Sequence, residues 1–159
     1  MGIQMCQTMD LVVMVVEPDK HHLKNTCDAL NRMGINKIIC TLSYQEAVEV
    51  LELEEDIIDI VIADYAIEEG KDLGIMLVCL IKKKYPGILV VLHSQHYSRP
   101  IVLESIMMNA DDIFDKNRES DIEDLLGKWI DVAKLKIDTR ELVYGIRKTS
   151  SRTSGEQRV

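Results

Sequence analysis

Five short apolar runs punctuate the chain, and between them apolar residues recur every three or four positions. The runs Leu11–Val16, Lys37–Thr41, Ile57–Ala63, Ile88–Leu92 and Asp111–Phe114 are strand-length, and short apolar runs between turn signals read as strands. Pro18 and Asp19 open a helix in which Leu23, Cys27 and Leu30 share a face and Gly34 ends the pattern. Ser43 and Glu46 have capping-box spacing ahead of Ala47, Val50 and Leu51, and Ser120 with Glu123 repeat that spacing ahead of Ile122, Leu125, Leu126, Trp129 and Ala133. Leu73, Leu77, Leu80 and Ile81 form a third stripe, closed by Lys82-Lys83-Lys84-Tyr85-Pro86-Gly87. Those three lysines complement a helix C-terminus and need no ligand to explain them. Ser98 and Pro100 start a fourth helix, running through Met108. Strict alternation of strand and helix predicts an α/β fold: a doubly wound, five-stranded parallel sheet with helices on both faces.

Composition narrows this picture. At 159 residues and 47% hydrophobic, the chain can bury a full core, which excludes a disordered polypeptide. No apolar run approaches the ~20 residues of a membrane span, and Met1–Asp10 lack the basic start and apolar stretch of a secretory leader. Cys6, Cys27, Cys40 and Cys79 are too scattered for a zinc or redox motif. Three of them fall in apolar helix or strand patterns, as reduced cysteines do in a cytoplasmic protein.

The net charge of −8 is unevenly shared. From Lys134 onward seven bases face three acids, a surplus of four that leaves −12 on residues 1–133. The body should repel nucleic acid and anionic membrane, so neither direct DNA binding nor membrane attachment is expected. The chain divides into an N-terminal segment 1–9, a single domain 10–134 and a basic, flexible tail 135–159. Within that tail Lys136–Leu142 is ambiguous, and Thr149–Val159 reads as disordered.

Ligands of open α/β sheets bind beyond the carboxyl ends of the strands. The side chains falling there are Glu17, Asp19, Asp64, His93, Ser94 and Lys116, with Pro18 among them. Two acids and a lysine on three strand ends make a phosphoryl-accepting pocket. Taken singly, each has a plainer reading: Asp64 as a turn cap, Lys116 as a solvated lysine, His93 as a satisfied strand-end histidine.

Four motifs in order, Val-Val-Glu-Pro-Asp, Asp-Ile-Val-Ile-Ala-Asp-Tyr, Val-Val-Leu-His-Ser and Asn-Ala-Asp-Asp-Ile-Phe-Asp-Lys, resemble the receiver domain of two-component response regulators over about residues 10–134. The resemblance implies the flavodoxin-like (βα)5 receiver fold and a cytoplasmic, non-enzymatic phosphoprotein of a two-component phosphorelay. It implies that Asp64 is the phosphoacceptor and that Lys116 contacts the phosphoryl group. Glu17, Asp64 and the Ala66 backbone carbonyl would hold Mg2+. The implied partners are a histidine kinase or phosphotransfer protein and a downstream protein, with homodimerisation left open. With no output domain after the last helix, output is expected to lie in the partner.

The sequence departs from the family pattern at several points. Pro18 stands where a second metal-binding acid is usual, which weakens the Mg2+ site because Pro has no side-chain oxygen. His93 is aligned with the fourth-strand hydroxyl residue, as a phosphate contact. Ile113 occupies the switch-aromatic position, and Asn117 follows Lys116 in place of proline. A pseudo-receiver, acting as a phosphorylation-independent interaction module, is therefore the alternative. A flavodoxin-type flavoprotein is disfavoured by Glu17-Pro18-Asp19 in its phosphate loop and by the scarcity of aromatics. A haloacid-dehalogenase-type enzyme lacks its paired aspartates. His21 and His22, adjacent on a helix, do not form a chelating pair, whereas Met107-Met108 suit an adaptable partner surface, with core packing expected of at least one of them.

Overall fold

The computed structural model describes residues 9–69, 71–118 and 122–136. Its elements are β1 (Met9–Val16), α1 (Lys20–Arg32), β2 (Ile35–Thr41), α2 (Tyr44–Glu54), β3 (Ile60–Asp64), α3 (Leu73–Lys84), β4 (Leu89–Ser94), α4 (Arg99–Met107) and β5 (Asp112–Asp115), and residues 122–136 are again helical. All five strands are parallel, in the order β2-β1-β3-β4-β5. Ser120, most of Lys136–Leu142, the segment 1–9 other than residue 9, and the tail beyond 136 lie outside the described residues.

Alternate strand residues build two cores. One face of the sheet carries Val12, Met14, Val16, Val61, Ala63, Val90, Leu92 and Ile113, covered by Ala47 and Leu51 of α2 and by Ile75, Leu77, Val78 and Ile81 of α3. The other carries Leu11, Val13, Val15, Ile60, Ile62, Leu89, Val91 and Phe114, under Ala29 and Leu30 of α1 and Leu126 and Ile130 of the last helix. Strands covered on both sides are apolar at every position, which is why the predicted runs are continuous.

Several predicted helix signals act as expected. Asp19 caps α1 by accepting the His21 and His22 backbone N–H groups, each at 2.9 Å. Gly34, at φ 85°, takes the left-handed conformation that lets the chain leave α1. Ser43 Oγ accepts the Glu46 N–H at 3.2 Å, while Glu46 reaches back to the Leu42 N–H at 2.7 Å, one residue earlier than a regular capping box.

Other expectations need correction. β3 begins at Ile60, not Ile57, because Asp59 is used otherwise: its N–H meets Val12 O and its carboxylate meets Val12 N–H, both at 3.0 Å. Ile57 is left half exposed. Lys82 does more than complement a dipole. Its ammonium pairs with Asp111 Oδ2 at 2.5 Å and reaches Ile88 O at 3.3 Å, and that carboxylate also takes the Val90 N–H at 2.7 Å. Lys82 thus ties the end of α3 to the starts of β4 and β5. Met107 and Met108 are both exposed, so neither is needed as core.

Candidate functional site

The order of strands reverses between β1 and β3, and the side chains of interest gather at the carboxyl edge beside that point. Glu17 follows β1, Asp64 closes β3, Ser94 closes β4 and Lys116 follows β5. The Lys116 ammonium, only 2% exposed, is held between Glu17 Oε2 and Asp64 Oδ1, the latter at 3.2 Å. A buried ammonium without such partners would cost several kcal/mol, so the pairing is what permits Lys116 at this depth. Burial raises the Glu17 pKa against the opposing pull of Lys116. The second oxygen of Glu17 accepts the Asp19 N–H at 3.1 Å. Each Glu17 oxygen is therefore engaged.

Lys116 is also fixed through its backbone. Its N–H binds Ser94 O at 2.9 Å, and Asn117 donates its amide to Gln95 O at 2.9 Å and to Asp115 Oδ1 at 2.8 Å. The Lys116–Asn117 bond is trans, as the missing proline leads one to expect. Asn117 staples the two loops instead.

Two cavities adjoin these residues. The larger, about 710 Å3, is lined by Pro18, Asp19, Asp64, Ala66 and Ser94 among others. The smaller, about 310 Å3, lies beside α1 and is lined by His22, Asp28, Arg32, His93 and Lys116. His93 lines the smaller cavity together with Lys116, and it pairs in register with Asp64 across β3 and β4. Its ring packs on Phe114, centroids 4.5 Å apart, on the α1 side of the sheet. Burial, with Lys116 and His22 nearby, holds its pKa down to about 3, so it is neutral at physiological pH and brings no charge to an anion. Ser94, one residue on, is the strand-end side chain that shares the Asp64 cavity. Its Oγ accepts the His96 N–H at 3.2 Å, which leaves the hydroxyl proton available as a donor.

Behind Asp64 the chain is tightly held. Asp64 Oδ1 accepts the Ala66 N–H at 3.3 Å, and Tyr65 N–H binds His93 O at 2.9 Å. The Tyr65 hydroxyl donates to Glu104 Oε2 of α4, and burial together with this bond raises the phenol pKa. Gly74, in the first turn of α3, lies directly against this backbone, with its N–H on Tyr65 O at 3.0 Å. A Cβ at position 74 would sit 2.2 Å from Asp64 O. Neither Gly74 nor Tyr65 was legible as a site residue, since nothing local marks a close approach between loop and helix.

The response regulator receiver domain family matches residues 13–128. The chain belongs to the response regulator receiver family. Similar solved structures include a response regulator from Thermotoga maritima, 26% identical with a TM-score of 0.67 over 77% of this chain and 99% of that one. The BeF3-activated DrrB receiver domain is 19% identical, with a TM-score of 0.65 over 77% and 99%. The signal receiver domain of an HD domain-containing protein from Pseudomonas fluorescens Pf-5 is 14% identical, with a TM-score of 0.67 over 78% and 97%. No curated protein matches the chain in sequence.

Receiver domains usually bind Mg2+ at an acidic site, and here the donors are reduced. Among the described residues no three acid, histidine or cysteine side chains cluster closely enough to hold a metal by themselves. Glu17 and Asp64 both approach Lys116, and Pro18 offers nothing. Mg2+ can be bound by one or two carboxylates plus phosphate oxygens and water. The residues therefore meet its minimum requirement, and Glu17, Asp64 and the Ala66 carbonyl are the groups that would hold it. Ile113 is buried on the α4 side of the sheet, where it packs as core. Among the described residues, no helix is long and apolar enough to cross a membrane.

Proposed function

We propose that this receiver accepts a phosphoryl group on Asp64 from the phosphohistidine of a kinase or phosphotransfer protein, in the cytoplasm, and signals through a protein partner. One observation carries the reading: the Asp64 carboxylate shares an open cavity with the Ser94 hydroxyl while Lys116 lies 3.2 Å away. The Lys116 and Ala66 contacts both fall on Oδ1, leaving Oδ2 to attack phosphorus as the bond to the imidazole breaks. Lys116 and Ser94 then face the transferred oxygens, one as a cation and one as a donor. Bound Mg2+ would supply neutralisation of the phosphoryl charge. The exposed Leu103, Ile106 and Met107 of α4 support a protein-binding output surface.

The pseudo-receiver reading also has a specific observation behind it. Glu17 and Lys116 neutralise each other in a buried pair, and Pro18 withholds a metal ligand. Incubation with Mg2+ and acetyl phosphate, followed by separation of phosphorylated from unmodified chain, divides the two. Incorporation that disappears in Asp64→Asn is expected. No incorporation, or incorporation indifferent to Asp64→Asn, selects the phosphorylation-independent module.

A weaker metal site has its own signature. Replacing Pro18→Asp restores a carboxylate beside Glu17 and should tighten Mg2+ binding by about tenfold or more, read by titration calorimetry. Unchanged affinity would mean that the metal ligands lie elsewhere.

A further inference from the structure

Cys27 and Cys40, thirteen residues apart in sequence, meet where α1 packs on β2. Their sulfurs are 3.5 Å apart. Cys40 is exposed and Cys27 half-buried, so neither behaves as the small core hydrophobe expected of it. We infer that Cys27 and Cys40 form a reversible oxidation site, closing to a disulfide when the protein meets a hydroperoxide.

The two thiols differ in what they can do. Burial and the hydrogen bond to Cys40 push the Cys27 thiol up to about 12, so it is a poor first nucleophile and the dithiol is the resting form. Cys40 faces solvent and meets the oxidant. Its sulfur attacks one oxygen of the peroxide, the O–O bond breaks, and the released hydroxide leaves as water with the thiol proton. This places a sulfenic acid beside Cys27. The Cys27 sulfur then attacks the Cys40 sulfur, the S–S bond forms, the S–O bond breaks, and a second water carries away the Cys27 proton. Two electrons have passed from the sulfurs to the peroxide, which is reduced to two waters.

Closing the pair from 3.5 Å to about 2 Å asks for a small approach of helix to strand. The bond would join the two elements beside the Glu17–Asp19 loop. α1 is capped by Asp19, and Thr41, next to Cys40, accepts the Glu17 N–H at 3.0 Å. Cys79 has a different neighbour, the Met108 sulfur at 3.6 Å. Among the described residues it therefore has no neighbouring thiol with which to close in the same way.

The test uses the full chain, reduced, freed of reductant and exposed to hydrogen peroxide before alkylation and mass spectrometry. Trypsin places Cys27 and Cys40 in separate peptides, residues 25–32 and 38–71. The expected product is those two peptides linked, lighter by two hydrogens and separated again by dithiothreitol. The oxidised protein should melt roughly 5–10 °C higher than the reduced one. In Cys27→Ser, Cys40 should stop at a sulfenic acid that dimedone traps, and in Cys40→Ser, Cys27 should stay reduced. Cross-links through Cys6 or Cys79 in place of this pair would overturn the inference, as would overoxidation of wild-type Cys40 with no linked peptide.

Discussion

The two cavities at the carboxyl edge of the sheet hold different chemistry. Asp64 and Ser94 line the larger, open cavity, whereas His93, packed on Phe114 and in register with Asp64, lines the smaller one with Lys116. A single step along β4 separates a hydroxyl that can meet a phosphoryl oxygen from an imidazole kept neutral by burial. The larger cavity is polar and open to solvent, and beside the smaller one the His93 ring is packed on Phe114. Both strand-end residues therefore border Asp64, His93 through the register of β3 and β4 and Ser94 through the cavity that it shares.

The largest disturbance around Asp64 should come from Gly74→Ala. A methyl 2.2 Å from Asp64 O must drive α3 and the Asp64–Tyr65 backbone apart. The expected loss is about 2–3 kcal/mol, or roughly 5–10 °C in Tm by calorimetry. A melting point equal to wild type would show that helix and loop are not tightly packed here.

The comparison itself is tested by a pair of neighbours. Ser94→Ala should slow phosphoryl transfer from acetyl phosphate by about tenfold, the loss of one charge-assisted hydrogen bond. His93→Leu should leave that rate within about twofold but alter the pH dependence of stability. The folded-state pKa of His93 is depressed to about 3 from 6.5. Its contribution is thus fully present above about pH 6.5 and lost as pH falls toward 3, because the unfolded chain takes up the proton first. Chemical denaturation across that window should show a slope shallower in His93→Leu by up to about 1.4 kcal/mol per pH unit. If His93→Leu slowed transfer and Ser94→Ala did not, His93 and not Ser94 would be the phosphoryl contact.

A smaller effect is expected at Tyr65→Phe. Losing the hydroxyl bond to Glu104 should cost about 0.5–1.5 kcal/mol and leave phosphorylation intact. With Ile113 in place of a switch aromatic, Tyr65 is the buried side chain that joins the Asp64 loop to α4. Hydrogen exchange of α4 should respond to phosphorylation in the wild type and lose that response in Tyr65→Phe. A preserved response would place the coupling elsewhere.

The fold was legible because its signals are local: apolar runs for strands, stripes and caps for helices, and charged residues at the runs' ends. Asp64, Glu17 and Lys116 could be placed together on those grounds. The position of His93 could not. Every residue of β4 from Leu89 to Ser94 is buried, so the run has no polar–apolar alternation to report which face each side chain takes. Parity comes from its neighbours, in the pairings Leu92 with Ile113, His93 with Phe114 and His93 with Asp64. Cys27 with Cys40, Lys82 with Asp111 and Gly74 against Asp64 share the same character. Each depends on how a helix lies over a strand or loop, a distance that no local period encodes.

The strand order has a further consequence for how the chain is made. β1 is flanked by β2, through Val13 and Ile38, and by β3, through Val13 and Ile60. It is the earliest strand of the sheet to be synthesised and among its most apolar, yet it stays half-paired until residues well past its own hairpin-length surroundings have emerged. Parallel pairing of this kind requires closing long loops before it is rewarded. Leu11–Val16 is accordingly the stretch of the nascent chain most exposed to wrong partners, and a translational pause before β3 would lengthen that exposure more than a pause anywhere later.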